Sequence, residues 1–341
     1  MKKFKQNLSV IILFASFLFF SGCMKSNRMV PVMLDQANIK KSSISTTSIA
    51  SGIQLLTDVN FQKGFNVLEP STGIVQGPLQ YTTGNGTPIW NLAQWYSKLS
   101  IYGAIPTILQ SGSYQFANQY KAVTIGPPAS TDGSLIFAIN GQNEFNNIYR
   151  SASDPFPHLL ADQRIADPDG WLGTNTPFIG AMSSARFNID ALLRYQTRNQ
   201  QSGYDSTIHA LQFSCSFLIQ NLRQGNAGYG KSMYFLVMLY DDRYPTPGPS
   251  ITTDLFSGRL IYNVGITPFS STGLTIGQWK NISGDLLPLI KNGLDEAWRR
   301  GLLTESTSYN DYKIGLASIG WECTGLNIGT MQVKNLSLIA N

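Results

Sequence analysis

Only five glutamates occur in the chain: Glu69, Glu144, Glu296, Glu305 and Glu322. Carboxyl groups of this kind carry acid/base and nucleophilic work on glycosidic bonds, where a retaining reaction needs two of them about 5–5.5 Å apart. Glu296 and Glu305 fall on or just after a helical pattern and are expected to be solvated. Glu69 precedes a proline in a loop. Glu144 follows a β run and is ringed by amides in Asn140-Gly-Gln-Asn-Glu144-Phe-Asn-Asn. Asp241 and Asp242 close another run. The second group with chemical meaning is aromatic: Trp95 in Asn-Leu-Ala-Gln-Trp-Tyr, Trp171 after Asp-Pro-Asp-Gly, and Tyr234 and Tyr240 on one run. Rings beside amides suit sugars, because a ring covers the apolar sugar face and amides bond hydroxyls; single Trp residues also serve as core. The two histidines, His158 and His209, lack a Gly-x-Ser-x-Gly elbow, and the chain has neither a phosphate loop nor a dinucleotide fingerprint. Asp167-Pro-Asp169-Gly170 lacks the later acidic ligand of a calcium loop and is expected to be a turn. No metal or cofactor is therefore expected.

These residues lie on short β runs broken by Gly, Pro, Asn and Asp: 135–140, 209–219, 232–240, 259–264, 312–321 and 329–339. Their alternation predicts half-buried strands. The expected fold is all-β, an antiparallel β-sandwich or jelly roll over residues 52–341, with one amphipathic helix near the C-terminus. That helix is predicted from Leu286, Ile290, Leu294 and Trp298 recurring on one face. Ser283 is its expected N-cap, Asp285 lies in its first turn, Gly301 stops it, and it is expected to cover the sheet's outer face. Cys215 and Cys323 are expected to be buried thiols, with a disulfide as the alternative.

The stretch Asn281-Ile-Ser-Gly-Asp285-Leu, then the helix, then Tyr312-Lys-Ile-Gly-Leu-Ala-Ser-Ile-Gly-Trp-Glu322, resembles the C-terminal part of glycoside hydrolase family 12. The resemblance spans about 60 residues. It implies a jelly roll of two packed sheets, an activity on β-glucans with retention, and Glu322 as the acid/base on a concave sheet. The family's nucleophile would sit on the strand 233–240, Met-Tyr-Phe-Leu-Val-Met-Leu-Tyr, which holds no carboxylate. Glu144 is the preferred replacement, as partner to Glu322. The leading expectation is thus binding of a neutral polysaccharide or surface glycan, with Trp95, Trp171, Tyr234 and Tyr240 as contacts. A retaining β-glycan hydrolase using Glu322 is the runner-up. A structural or host-contacting envelope protein without a glycan site is the third.

The first residues supply an address. Lys2, Lys3 and Lys5 precede an apolar run from Leu8 to Phe20, too short to span a bilayer, and then Ser21-Gly22-Cys23. This order is a signal peptide (1–22), and Ser-Gly-Cys resembles the lipobox of bacterial lipoproteins, which implies lipidation at Cys23. Residues 23–51 are then a lipidated start and a Ser/Thr-rich tether. The expected location is the cell envelope, anchored in the lipid bilayer through Cys23, at the outer membrane in a Gram-negative cell. The formal net charge is +5, and +2 without the three signal lysines. With no long basic run, nucleic acid is excluded as a partner. Charged residues make up only 13%, so uncharged polar groups carry the surface. Mass spectrometry of membrane fractions is expected to show a diacylglyceryl-modified N-terminus at Cys23; a soluble protein with a free Cys23 thiol would refute it.

Overall fold

The computed structural model describes residues 52–254 and 257–341. The signal segment, Cys23 and the tether lie outside the described residues. The first strands are β1 (Ile53–Gln54), β2 (Phe65–Leu68), β3 (Val75–Leu79), β4 (Trp90–Ala93), β5 (Thr107–Ile108), β6 (Tyr114–Ala117), β7 (Lys121–Ile125), β8 (Leu135–Asn140) and β9 (His158–Arg164). Then follow β10 (Ala185–Thr197), β11 (Leu211–Asn221), β12 (Ser232–Asp241), β13 (Ser250–Thr253), β14 (Leu260–Asn263), β15 (Trp279–Asp285), β16 (Tyr312–Cys323) and β17 (Ile328–Ala340). Two one-turn helices, α1 (Pro128–Thr131) and α2 (Gly141–Glu144), precede the long α3 (Leu287–Arg299).

The strands form two sheets. One runs β15-β10-β17-β8-β7-β6-β5, with β1 added alongside β17. The other has nine strands in the order β13-β14-β12-β11-β16-β9-β4-β2-β3. The expected sandwich is therefore present. Pairing is antiparallel except for β12 with β14 and β2 with β4, which run parallel.

Period-two alternation builds the core. On β11 the odd residues Leu211, Phe213, Cys215, Phe217 and Ile219 are buried; on β12, Met233, Phe235 and Val237 are. From the facing sheet come Phe187, Ile189, Phe137, Met331 and Val333. Phe187 meets Phe217 edge-on at 5.9 Å. The Trp321 indole, also buried, donates across the sandwich to the Phe137 carbonyl at 3.1 Å, which satisfies its one polar atom. Cys215 and Cys323 are both buried free thiols, and burial pushes both up. The large aliphatic and aromatic content of these strands makes this burial the main stabilising term.

The helix lies where its apolar spacing places it, with Leu286, Ile290 and Leu294 fully buried and Trp298 packed against the core. Three expectations about it are corrected. Ser283 is not its N-cap, because residues 279–285 extend β15 along β10. Nor is Asp285 in the first turn: it ends β15, and from there its carboxylate accepts from the Leu287 amide at 3.0 Å and the Ala185 amide at 2.8 Å, while the N-cap residue is Leu286, which has no side-chain cap. Nor does the helix cover an outer face. Gly293 approaches Met233 and Tyr262, so α3 closes the inner side of the nine-stranded sheet at its β12–β14 edge. Leu294→Ala is expected to cost about 2–5 kcal/mol in chemical denaturation. The exposed Asn292→Ala is expected to change stability by no more than about 0.5 kcal/mol; equal losses would put the wrong face inward.

Candidate functional site

If odd residues of β11 fill the core, even residues must face the other way. The register then fixes their neighbours. Gln212 on β11 stands opposite Asp241 on β12 and Glu322 on β16, and Glu322 stands opposite His158 on β9. Asp241, Gln212, Glu322 and His158 thus form one row across four adjacent strands. The next rows hold Ser214, Met238, Gly320 and Leu160, then Ser216, Leu236, Ser318 and Asp162. Ser214, Met238 and Ser318 project from the centre of this face, outside the core, yet are almost wholly buried. The face is therefore a recessed groove and not a flat surface.

Glycine builds its floor. A Cβ on Gly320 would collide with the Leu159 carbonyl. On β12 a bulge opposite Phe213–Ser214 shifts the register by one residue, which brings Asp241 rather than Tyr240 to the groove side. Asp241 is held there by Arg243, whose Nε and Nη2 donate to its two oxygens at 2.9 and 2.6 Å, and by Gln212 Nε2 at 2.6 Å.

Glu322 is half-buried in the row, and among the described residues its carboxylate has no hydrogen bond or ion pair. Its neighbour His158 is set against aromatics, with Phe156 stacked at 4.6 Å and Tyr96 at 6.4 Å. Burial holds the His158 pKa below its usual value, against the raising influence of the Glu322 charge. Burial thus favours the uncharged imidazole, whose Nδ1 is unpartnered. Further along the groove, burial raises the Asp162 carboxyl to about 6, with Ser318 and Arg164 opposing, and its Oδ1 has no partner.

The sequence candidates divide sharply. Glu322 is in the row. Trp95 continues the groove edge: its carbonyl accepts from the His158 amide at 3.0 Å. Its ring lies on Gly73, where a Cβ would strike it. Tyr234 is on the groove face, but beside Leu218 and Ile261 at the far end, where its hydroxyl accepts from Arg259 at 3.1 Å. Trp171 is 40% exposed and tied by its indole to the Leu55 carbonyl. It sits by Arg164, at the opposite end of β9 from His158 and so about 20 Å along the strand.

Two candidates fail on packing. Tyr240 points into the core, 6.0 Å edge-on to Trp321, so it is no glycan contact. Glu144 is 4% exposed and occupied: Ser97 Oγ donates to one oxygen and the Lys98 amide to the other at 3.0 Å. The buried Lys121, held by Gln94 at 3.0 Å and the Leu99 carbonyl at 2.6 Å, lies close enough to pull on its charge. Glu144 clamps the 94–100 loop to the end of β8 and is not free to partner Glu322. Asp242 is likewise taken, by the Leu211 amide at 2.9 Å and Asn327 at 2.7 Å, and burial raises it to about 6.

The sequence reasoning did not assign roles to Gln212, His158, Asp162, Asp241, Phe156 and Tyr96. The alternation of β11 carried the signal for Gln212; the rest depended on which strands become neighbours. Within the row the next carboxylate to Glu322 is Asp241, two strand spacings or about 10 Å away and paired to arginine, while Asp254, just after β13, is also close enough for its charge to act on His158.

Asp162 gives a stability test. Its folded pKa lies above the ordinary 3.8, so its stability contribution is complete below about pH 4 and is lost as pH rises through about 6. Asp162→Asn is expected to raise stability at pH 7, by at most about 3 kcal/mol, with the gain fading toward pH 4. A gain independent of pH, or a loss at pH 7, would mean that the carboxylate is compensated.

No family model matches the sequence, and no curated protein matches it. Among solved structures the chain is similar to a native family 12 xyloglucanase from Bacillus licheniformis, at 11% identity and TM-score 0.37, over 70% of this chain and 97% of that one. It is also similar to an endoglucanase from Rhodothermus marinus, at 11% and 0.35, over 70% and 96%. A third is the xyloglucanase domain of a type three effector from Sinorhizobium fredii, in complex with cellobiose, at 7% and 0.34, over 71% and 100%. These superpositions are loose, and the functional reading rests on the groove's own residues.

Proposed function

We propose that the groove of the nine-stranded sheet binds a neutral polysaccharide or surface glycan, and that Cys23 holds the chain at the cell envelope. The row Asp241–Gln212–Glu322–His158, ending against Phe156, Tyr96 and Trp95, is the observation that supports this most. Amide, carboxylate and imidazole groups bond hydroxyls. The rings at the end of the row supply apolar faces for the sugar. A linear chain lying across the strands would meet these groups in succession.

Binding is favoured over hydrolysis by the fate of the carboxylates. Of the row's two carboxylates only Glu322 is unengaged. Asp241 is neutralised by Arg243, and Glu144 is sealed away. Within the row a retaining mechanism then lacks its nucleophile. The exposed ring of Tyr96 supports a ligand contact further: the residue holds a left-handed backbone with φ of 56°, a costly state for a bulky side chain.

Affinity electrophoresis with soluble β-glucans and other neutral glycans tests the reading, alongside a reducing-sugar assay. Retarded migration with little or no turnover is expected. Tyr96→Ala and Phe156→Ala are each expected to weaken binding by roughly one to a few kcal/mol. Glu322→Gln is expected to weaken it modestly, since an amide keeps the shape and still bonds hydroxyls. Robust hydrolysis abolished by Glu322→Gln would replace this reading with the hydrolase.

A further inference from the structure

A second surface is chemically unlike the groove. Between Glu69 and Asp132 the chain has no Asp or Glu, and its only charges are Lys98 and Lys121. Lys121 is fully buried and Lys98 exposed. This stretch forms one side of the sandwich, carrying both β3 and β5, the terminal strands of the two sheets. Large apolar side chains stand out from it: Ile74 is 68% exposed, Val75 53%, Leu99 51%, Tyr102 47%, Ile105 90% and Ile108 64%. The 100–102 segment lies against β3, and the others follow it or precede it closely in sequence. The Tyr102 ring lies against Gly77 of β3, Ser100 Oγ bonds Gln76, and Ile105 and Ile108 follow on the same loop into β5.

Branched aliphatic side chains offer a sugar neither a flat ring nor a hydrogen bond. They do fit hydrocarbon. An apolar tip such as Tyr102-Gly-Ala-Ile105-Pro-Thr-Ile108, which carries no charge of its own, has the make-up of a segment that enters a bilayer interface; the charges at its border are Lys98, which donates to the Asn143 carbonyl at 3.2 Å, and Glu69, whose carboxylate is occupied by Ser71 and Thr72. We propose that this face docks on the surface of a lipid bilayer, with Ile105 and Ile108 inserted and Lys98 at headgroup level. The proposal goes beyond the glycan reading and is compatible with the anchor at Cys23. Residues 24–51 lie between Cys23 and Gly52, a length that can reach about 95 Å at most, so the anchor leaves room for the body to settle in this orientation.

The test places an environment-sensitive fluorophore on Ile105→Cys, and on Tyr229→Cys as an exposed control far along the sequence, in the full chain; Cys215 and Cys323 are buried and do not compete for label. The protein is reconstituted into vesicles of phosphatidylcholine with one quarter phosphatidylglycerol, with and without brominated acyl chains. A blue shift and at least twofold quenching are expected at position 105 and neither at 229. Lys98→Glu is expected to reduce the effect on anionic vesicles and not on pure phosphatidylcholine. Protein that stays in solution would refute the Cys23 anchor alone; with Cys23→Ser, so that no second thiol takes the label, and mixed with the same vesicles, it is still expected to show the shift at 105. Equal signals at 105 and 229 overturn the proposal. So does loss of a dimer on size exclusion in Ile105→Asp/Ile108→Asp, which would assign the face to a second copy. Loss of glycan retardation in that variant would overturn it too, by making the face a lip of the groove.

Discussion

The ladder between β11 and β16 is the constraint on which the rest of the molecule depends. Both strands are long, central and buried on one face, and a shift of one residue would turn Phe213 and Trp321 outward and Gln212 and Glu322 inward. Burying two charged or amide groups in place of two large rings is prohibitive, so the register has no nearby competitor. The groove is the other side of this choice. Its polar residues are held by apolar ones they never touch.

The same logic explains how one bulge redistributes chemistry. Across β12, the extra residue sends Tyr240 into the core and Asp241 to the groove. Strict alternation would have paired Tyr240 with Gln212. The tyrosine is then fixed beside Trp321, and the aspartate becomes an acceptor fully occupied by Arg243 and Gln212. A single local irregularity decides which of two adjacent residues can meet a ligand.

What was legible in the chain follows from the range of each interaction. The sandwich, its longest strands and the buried face of α3 are written in local periodicity, and these the sequence reading describes well. The strand 312–321 with Glu322 at its end was also visible. Ser283 was misread because a small polar residue before an apolar run suits a cap, whereas here pairing with β10 extends the strand to Asp285. Glu144 and Tyr240 were misread for a different reason: both are chemically apt, but their fate depends on partners far away in sequence, Ser97 and Lys98 for one and Trp321 for the other. The groove's row combines residues from four separated segments, and no spacing within one segment encodes it.

The place of β17 has a consequence for the order of events in the cell. It lies between β10 and β8 and also receives β1, and it follows all of them in the order of the described strands. Until residues 328–340 have been synthesised, one whole sheet has a gap at its middle, and the first strand has nothing to pair with. A portion that stops short of residue 328 therefore cannot complete the sandwich. A strand that sits at the middle of a sheet yet comes late among those it joins keeps the earlier segments from locking together before it arrives.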